Sequence, residues 1–294
     1  MSAFEEAAAL LPPALRRRAE ELPEPVRMGA EEIRLRAGRL PTVVFEGEER
    51  PLPGGAPVTA RELELTVEIA TQASTHAALD RVRQGYFTVR GGHRLGLCGT
   101  VRAEEGEVRT LRTLSSLNIR VARAVPGCGT EAARALTEGG RLRSAILLAP
   151  PGGGKTTLLR DLIRLLSDGG YRVGLADERG EVAALWNGMP QFDVGARTDV
   201  LDGCPKARGL MMLLRGITPQ ILACDEITDP ADWAALEQCA NCGAALLATA
   251  HAGSLEDLSR RPLYRDMLAR RLFDCAVYID RTRTPACRME ALPC

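Results

Sequence analysis

The stretch SAILLAPPGGGKTTLLRDLIRLLS, residues 144–167, decides the fold. It opens on a short apolar run, passes through three glycines, and closes in an amphipathic segment carrying Leu158, Leu159, Leu162, Ile163, Leu165 and Leu166. A strand, a Gly-rich turn and a helix in that order bring backbone N–H groups and the positive end of the helix to one point. That is the construction of a phosphate-binding loop. Residues 149–156 match the Walker A pattern except at the first position, where Ala149 stands in place of glycine. Pro151, Gly152, Gly153, Gly154, Lys155, Thr156 and Thr157 are the expected nucleotide contacts. Lys155 is expected to reach the β- and γ-phosphates, Thr156 to ligate Mg²⁺ and Thr157 to touch the α-phosphate. Of the 38 basic residues only Lys155 and Lys206 are lysine, and arginine is no substitute for a compact, flexible ammonium group.

Downstream of that stretch, residues 171–176, 220–224 and 244–249 are further apolar runs, as expected of strands buried on both faces. Strands alternating with helices predict an α/β core with a parallel sheet and crossover helices. The run at 221–224 ends in Asp225-Glu226, a Walker B candidate. Asp225 is placed near the metal through water, and Glu226 is placed to polarise the attacking water. Two other strand ends carry polar groups: Asp177 and Glu178 after one strand, Thr249 and His251 after another. Ligands in open parallel sheets sit beyond the carboxyl ends of the strands. Glu178 is therefore a second candidate for orienting water, and His251 a candidate sensor of the γ-phosphate.

Upstream, the rhythm differs. Residues 1–25 read as a short helix followed by a Pro-rich break at Leu22-Pro23-Glu24-Pro25. Ile33, Leu35, Val43, Val44 and Phe45 cluster as strand residues do, and Thr59 reads as a hydroxyl N-cap for a helix running to Ala70, although the alternation within that stretch would also suit a strand. Residues 86–98 read as a hairpin about Gly91-Gly92, and 108–121 as extended chain. This predicts a smaller α+β domain over residues 1–123 and a P-loop domain over 124–294.

Bulk properties set limits. The 294 residues carry 38 acids and 38 bases, so no bulk charge favours a polyanion. No apolar run approaches the roughly 20 residues of a membrane span. The acidic start, MSAFEE, lacks a signal peptide's basic opening, which predicts a cytoplasmic protein with no direct membrane span. A lone CxxC, Cys239 and Cys242, has no second ligand pair, and buried thiols are the expected reading.

Three neighbouring segments resemble the stage III sporulation protein AA family: DERGEVA at 177–183, NGMPQ at 187–191 and DVGARTDVLDGCPKA at 193–207. EIRLR at 32–36, RGGHR at 90–94 and Asn118-Ile119-Arg120 extend the resemblance over most of the chain. That family is similar to the ATPases of type II and type IV secretion and pilus machines. The resemblance implies an N-terminal α+β domain joined to a RecA-like core, ATP and Mg as ligands, and a homo-hexamer. It also implies a place at the mother cell–forespore channel with membrane-embedded sporulation-channel partners. Residues 177–181 correspond to that group's Asp box and 249–251 to its His box. Ala149 and Thr228 depart from the pattern, both standing where relatives usually have glycine, and neither departure removes a charged catalytic group.

Ring ATPases complete the site with an arginine from a neighbour or an adjoining domain. Arg94, Arg120, Arg197 and Arg215 are candidates, with Arg120 preferred in the first domain and Arg197 in the core. Two rival readings stand beside an ATP-hydrolysing motor. One is an ATP-regulated nucleic-acid-binding protein, disfavoured by 4% aromatic residues when single-strand binders stack bases on aromatics. The other is a scaffold that binds nucleotide without turnover, against which the intact Glu226 argues.

Overall fold

The computed structural model describes residues 1–72, 85–104, 107–279 and 287–292. The chain divides into two compact units: residues 1–123 with 186–191, and residues 124–185 with 192–294. The sequence predicts an unbroken second unit over residues 124–294. The six residues Trp186–Gln191 instead count with the first, where Gln191 Oε1 accepts the Gly91 N–H at 2.9 Å.

In the first unit six strands form an antiparallel sheet: β1 (Glu32–Arg36), β2 (Thr42–Phe45), β3 (Glu48–Pro51), β4 (Tyr86–Thr88), β5 (Arg94–Glu104) and β6 (Glu107–Arg120), in the order β3-β2-β1-β6-β5-β4. The predicted hairpin is β4 and β5, with Phe87 opposite Leu95. The extended 108–121 segment is the single strand β6. The helix at Thr59 is Ala60–Thr71, opened by a capping box between Thr59 and Glu62. The N-terminal region departs from expectation. It holds three short helices, Ala3–Ala8, Pro13–Glu20 and Glu24–Gly29. Proline causes both the break and the restart, because its missing N–H and fixed φ suit a helix's first turn. Pro13 and Pro25 both sit there. The helices' buried Phe4, Leu11 and Leu15 join Ile33, Leu35, Leu95 and Ile119 in one core.

His93 lies in that core with no exposed surface. Its Nδ1 accepts the Ala122 N–H at 3.1 Å, while Nε2 has no hydrogen-bond partner among the described residues and sits 3.9 Å from Glu6 Oε2. Burial, and then Arg123, push the imidazole down from 6.5 to about 4. The unfolded chain therefore takes up a proton near 6.5 that the folded chain refuses until about 4. The stability tied to this group is complete above pH 6.5 and drains away as pH falls towards 4, by about 3 kcal/mol in all. Urea unfolding across that range is expected to show the loss, and His93→Gln is expected to flatten it. An unchanged pH slope in the variant would assign the acid sensitivity elsewhere.

The second unit is built on a seven-stranded sheet: β7 (Ala145–Ala149), β8 (Val173–Asp177), β9 (Thr198–Asp202), β10 (Ile221–Cys224), β11 (Ala245–His251), β12 (Cys275–Ile279) and β13 (Cys287–Ala291), in the order β13-β12-β7-β11-β10-β8-β9. All pairings are parallel except β12 with β13. Alternate residues of β7 enter different cores. Ile146 and Leu148 pack with Leu210 and Leu236, whereas Ala145 and Leu147 pack with Leu159 and Leu162. The sheet is thus buried on both faces, as its continuous apolar strands predicted. β9, β12 and β13 were not recognised as strands from the sequence. β9 is half-exposed along its length, and the family-specific motif around it masks its period.

Candidate nucleotide site

β7 runs into the glycine turn, and the helix Lys155–Asp168 leaves it. Gly152 (φ 70°) and Gly154 (φ 92°) hold left-handed backbone, which costs a residue bearing Cβ about 1–2 kcal/mol. At Gly153 a Cβ would lie 2.7 Å from Ala149 Cβ and 2.8 Å from the Pro150 carbonyl oxygen. The turn is folded so closely over the end of β7 that only bare backbone fits. Such a cradle lets amide groups approach a phosphate.

Lys155 is buried. Its Nζ donates to the carbonyls of Ala149 (3.1 Å) and Pro150 (3.2 Å) and lies 2.6 Å from His251 Nδ1. His251 Nε2 is in turn 3.0 Å from Glu226 Oε2. With Nδ1 accepting from the ammonium and Nε2–H donating to the carboxylate, the tautomer is assigned by its neighbours. A continuous chain of polar contacts then joins the P-loop, the end of β11 and the end of β10. Burial lowers the Lys155 pKa, and the carboxylates of Glu226 and Asp225 oppose that shift.

The register explains Asp225. Cys224 pairs with Ala248, so the next residues, Asp225 and Thr249, lie side by side, and Thr249 Oγ1 donates to Asp225 Oδ1 at 3.0 Å. Thr156 is half-buried in the first turn of the helix after the loop, and Thr157 follows it. A carboxylate and a hydroxyl are hard oxygen ligands of the kind Mg²⁺ takes, one or two at a time, alongside substrate phosphates and waters.

The Asp-box residues divide their labour. Asp177 is fully buried and accepts the N–H groups of Glu181 (2.9 Å), Val182 (3.1 Å) and Ala183 (2.8 Å). Burial raises its pKa against those hydrogen bonds. It shapes the turn. Arg160, on the P-loop helix, straps the same turn from the other side. Its guanidinium donates to the carbonyls of Val182 (2.6 Å) and Glu181 (2.7 Å) and stacks 3.7 Å from the Phe192 ring centroid. Burial pulls Arg160 down to about 10, which still leaves it charged at neutral pH. Glu178 faces Lys206 at 3.2 Å.

Sequence reasoning assigned no role to Arg160 or Lys206. The available signals were a charged residue amid the buried positions of an apolar helix, and the rarity of lysine. Of the arginine candidates in the second unit, neither Arg197 nor Arg215 contacts the cluster among the described residues. Arg120 ends β6 in the first unit with its side chain exposed. Arg197 precedes β9, and its Nη1 donates to the Gly170 carbonyl at 3.1 Å. That is the end of the sheet where β8 begins, opposite the end that carries Asp177. Arg215 is exposed late in the helix Lys206–Ile217.

A mostly parallel sheet with a glycine cradle at the end of β7 and acids at neighbouring strand ends defines a RecA-like P-loop fold, here accompanied by an antiparallel α+β unit. Two solved structures share it: the Legionella pneumophila ATPase DotB and the pilus retraction motor PilT with bound ADP. DotB is 16% identical at a TM-score of 0.58, covering 91% of this chain and 76% of its own. PilT is 18% identical at a TM-score of 0.58, covering 87% and 75%. The chain belongs to the family described as sporulation stage III, protein AA, which it matches over residues 4–290. Stage III sporulation protein AA of Bacillus subtilis (strain 168) is 36% identical over 285 residues, spanning 95% of this chain and 92% of that protein.

Proposed function

We propose that the chain binds Mg·ATP in the loop from Pro151 to Thr157 and hydrolyses it, with Glu226 as the base that activates water. The observation that carries this reading is the contact chain from Lys155 through His251 to Glu226, assembled from three separate strand ends. Thr156 and Asp225 are the residues that would hold Mg²⁺, which when bound offsets charge on the phosphates. Lys155 gives its ammonium to the triphosphate. His251, still bonded to Glu226, is then placed to register the γ-phosphate. Calorimetric titration with Mg·ATP is expected to give saturable heat, lost in Lys155→Ala. Absence of saturation at millimolar ligand overturns the reading.

The proposed work of that cycle is to power assembly or transport at the mother cell–forespore channel during sporulation, as a cytoplasmic homo-hexamer docked on membrane-embedded partners. Family membership and the fold shared with a pilus retraction motor support this. Among the described residues no helix is long and apolar enough to cross a membrane, so contact with the bilayer is assigned to those partners. Arg120 and Arg197 are the arginines proposed to act from a neighbouring copy. Solution mass with Mg·ATP is expected to rise from the 31.7 kDa chain to that of a hexamer. A monomer under all nucleotide conditions overturns the ring.

A further inference from the structure

Lys206 is the second of the chain's two lysines, and it stands where a stable fold has least use for one. It is the first residue of the helix Lys206–Ile217, whose N-terminal end repels a cation. Its side chain is only 6% exposed. An ammonium so buried needs oxygen partners to offset its lost hydration. It has three: the Glu226 carbonyl at 2.5 Å, Glu178 Oε2 at 3.2 Å and Asp232 Oδ2 at 3.7 Å. Desolvation pulls the Lys206 pKa down, and the carboxylates of Asp232 and Glu178 are among the groups that outweigh it, so the net shift is upward.

Each of those oxygens belongs to a different segment of the site. Glu226 belongs to the loop after β10, Glu178 to the turn after β8, and Asp232 to the first turn of the helix Pro230–Asn241. Asp232 Oδ2 also accepts the N–H groups of Thr228 and Asp229, both at 3.2 Å, so it fixes the chain just beyond Glu226. One ammonium therefore ties both ends of the Glu226 loop to the neighbouring acidic turn. The chain answers nearly every other need for positive charge with arginine. A planar fork does not fit a point that must be shared by one carbonyl and two carboxylates from three directions, whereas a tetrahedral donor does.

We propose that Lys206 is the positioning residue of the hydrolysis site: it pins the Glu226 peptide against Glu178 and Asp232, so that the Glu226 carboxylate stays directed at His251. This rests on the hydrolysis reading above, and it adds a residue that touches neither the nucleotide loop nor the reacting atoms.

The test compares wild type, Lys206→Met and Lys206→Arg in two measurements. In steady-state kinetics Lys206→Met is expected to lose roughly 10²-fold in kcat while Mg·ATP affinity is kept, and Lys206→Arg to recover part of that loss. In hydrogen exchange Lys206→Met is expected to speed exchange over residues 225–232 and 177–184 while β7 and β11 keep wild-type protection. Wild-type kcat in Lys206→Met overturns the proposal. So does faster exchange spread evenly over the second unit, which would make Lys206 a general stabiliser, or no change in exchange at all. A wild-type chain without turnover sinks the hydrolysis reading, and the exchange measurement still decides whether Lys206 pins the two loops.

Discussion

Glu226→Gln is expected to bind Mg·ATP as the wild type does and to hydrolyse it about 10²- to 10⁴-fold more slowly, the range spanned by positioned acid–base groups. The substitution keeps the shape. Glu226 is three-quarters buried, its Oε2 receives His251 Nε2 at 3.0 Å, and its backbone carbonyl receives Lys206. A glutamine oxygen can accept the same imidazole proton, so the chain from Lys155 survives while the basic lone pair is lost. The control is Glu178→Gln. Glu178 is the second candidate for orienting water, but its carboxylate is engaged by Lys206 at 3.2 Å. Its loss is expected to lower turnover less, through the geometry it shares with Lys206. Rapid-mix single-turnover hydrolysis, together with equilibrium binding, separates the two. Full-rate hydrolysis by Glu226→Gln would remove it from the role of base. A larger loss in Glu178→Gln than in Glu226→Gln would exchange their assignments.

The difference between what was legible and what was not has a physical pattern. Lys155 was visible through the glycine pattern that precedes it, and Asp225, Glu226 and His251 because each lies at the carboxyl end of an apolar strand. A strand's direction alone predicts which edge its last residues reach. Arg160 and Lys206 were hidden because their partners are remote in sequence. Arg160 reaches carbonyls 21 and 22 residues away, and Lys206 reaches a carbonyl 20 residues away. Pattern reading sees period and local spacing, and neither encodes a contact made by a long side chain across a sheet's edge. Asp177 was legible as an acid at the site but not in its function, because its hydrogen bonds to the amides of Glu181, Val182 and Ala183 depend on the fold of residues 180–184. β9 and the segment Trp186–Gln191 were missed for a related reason. Their residues are half-exposed or count with the other unit, so the apolar rhythm that marks a core strand is absent. The proline-opened helices near the N-terminus show the opposite error, in which a strong local signal was read for the stop it makes and not for the start.

Gly153→Ala is expected to weaken Mg·ATP binding about 10- to 100-fold, the equivalent of the 1–3 kcal/mol that over-filling a tight site costs. Two neighbours cause it. The new methyl would lie 2.7 Å from Ala149 Cβ and 2.8 Å from the Pro150 oxygen. One ends the entry strand and the other directly follows it, so relief requires the cradle to open. Ala149 is itself the departure from the Walker pattern. With glycine at 149 the closer contact vanishes and the contact with the Pro150 oxygen remains. The double variant Ala149→Gly with Gly153→Ala is therefore expected to recover part of the lost affinity, which is a non-additive result that a general fault in the loop does not produce. Gly152→Ala provides the comparison. Among the described residues nothing lies within 4 Å of its Cβ, so its φ of +70° is what resists, at about 1–2 kcal/mol, and replacing Ala149 is expected to leave that loss unchanged. Wild-type affinity in Gly153→Ala, or equal rescue of both single variants by Ala149→Gly, would show that the close turn over β7 is not what forms the phosphate cradle.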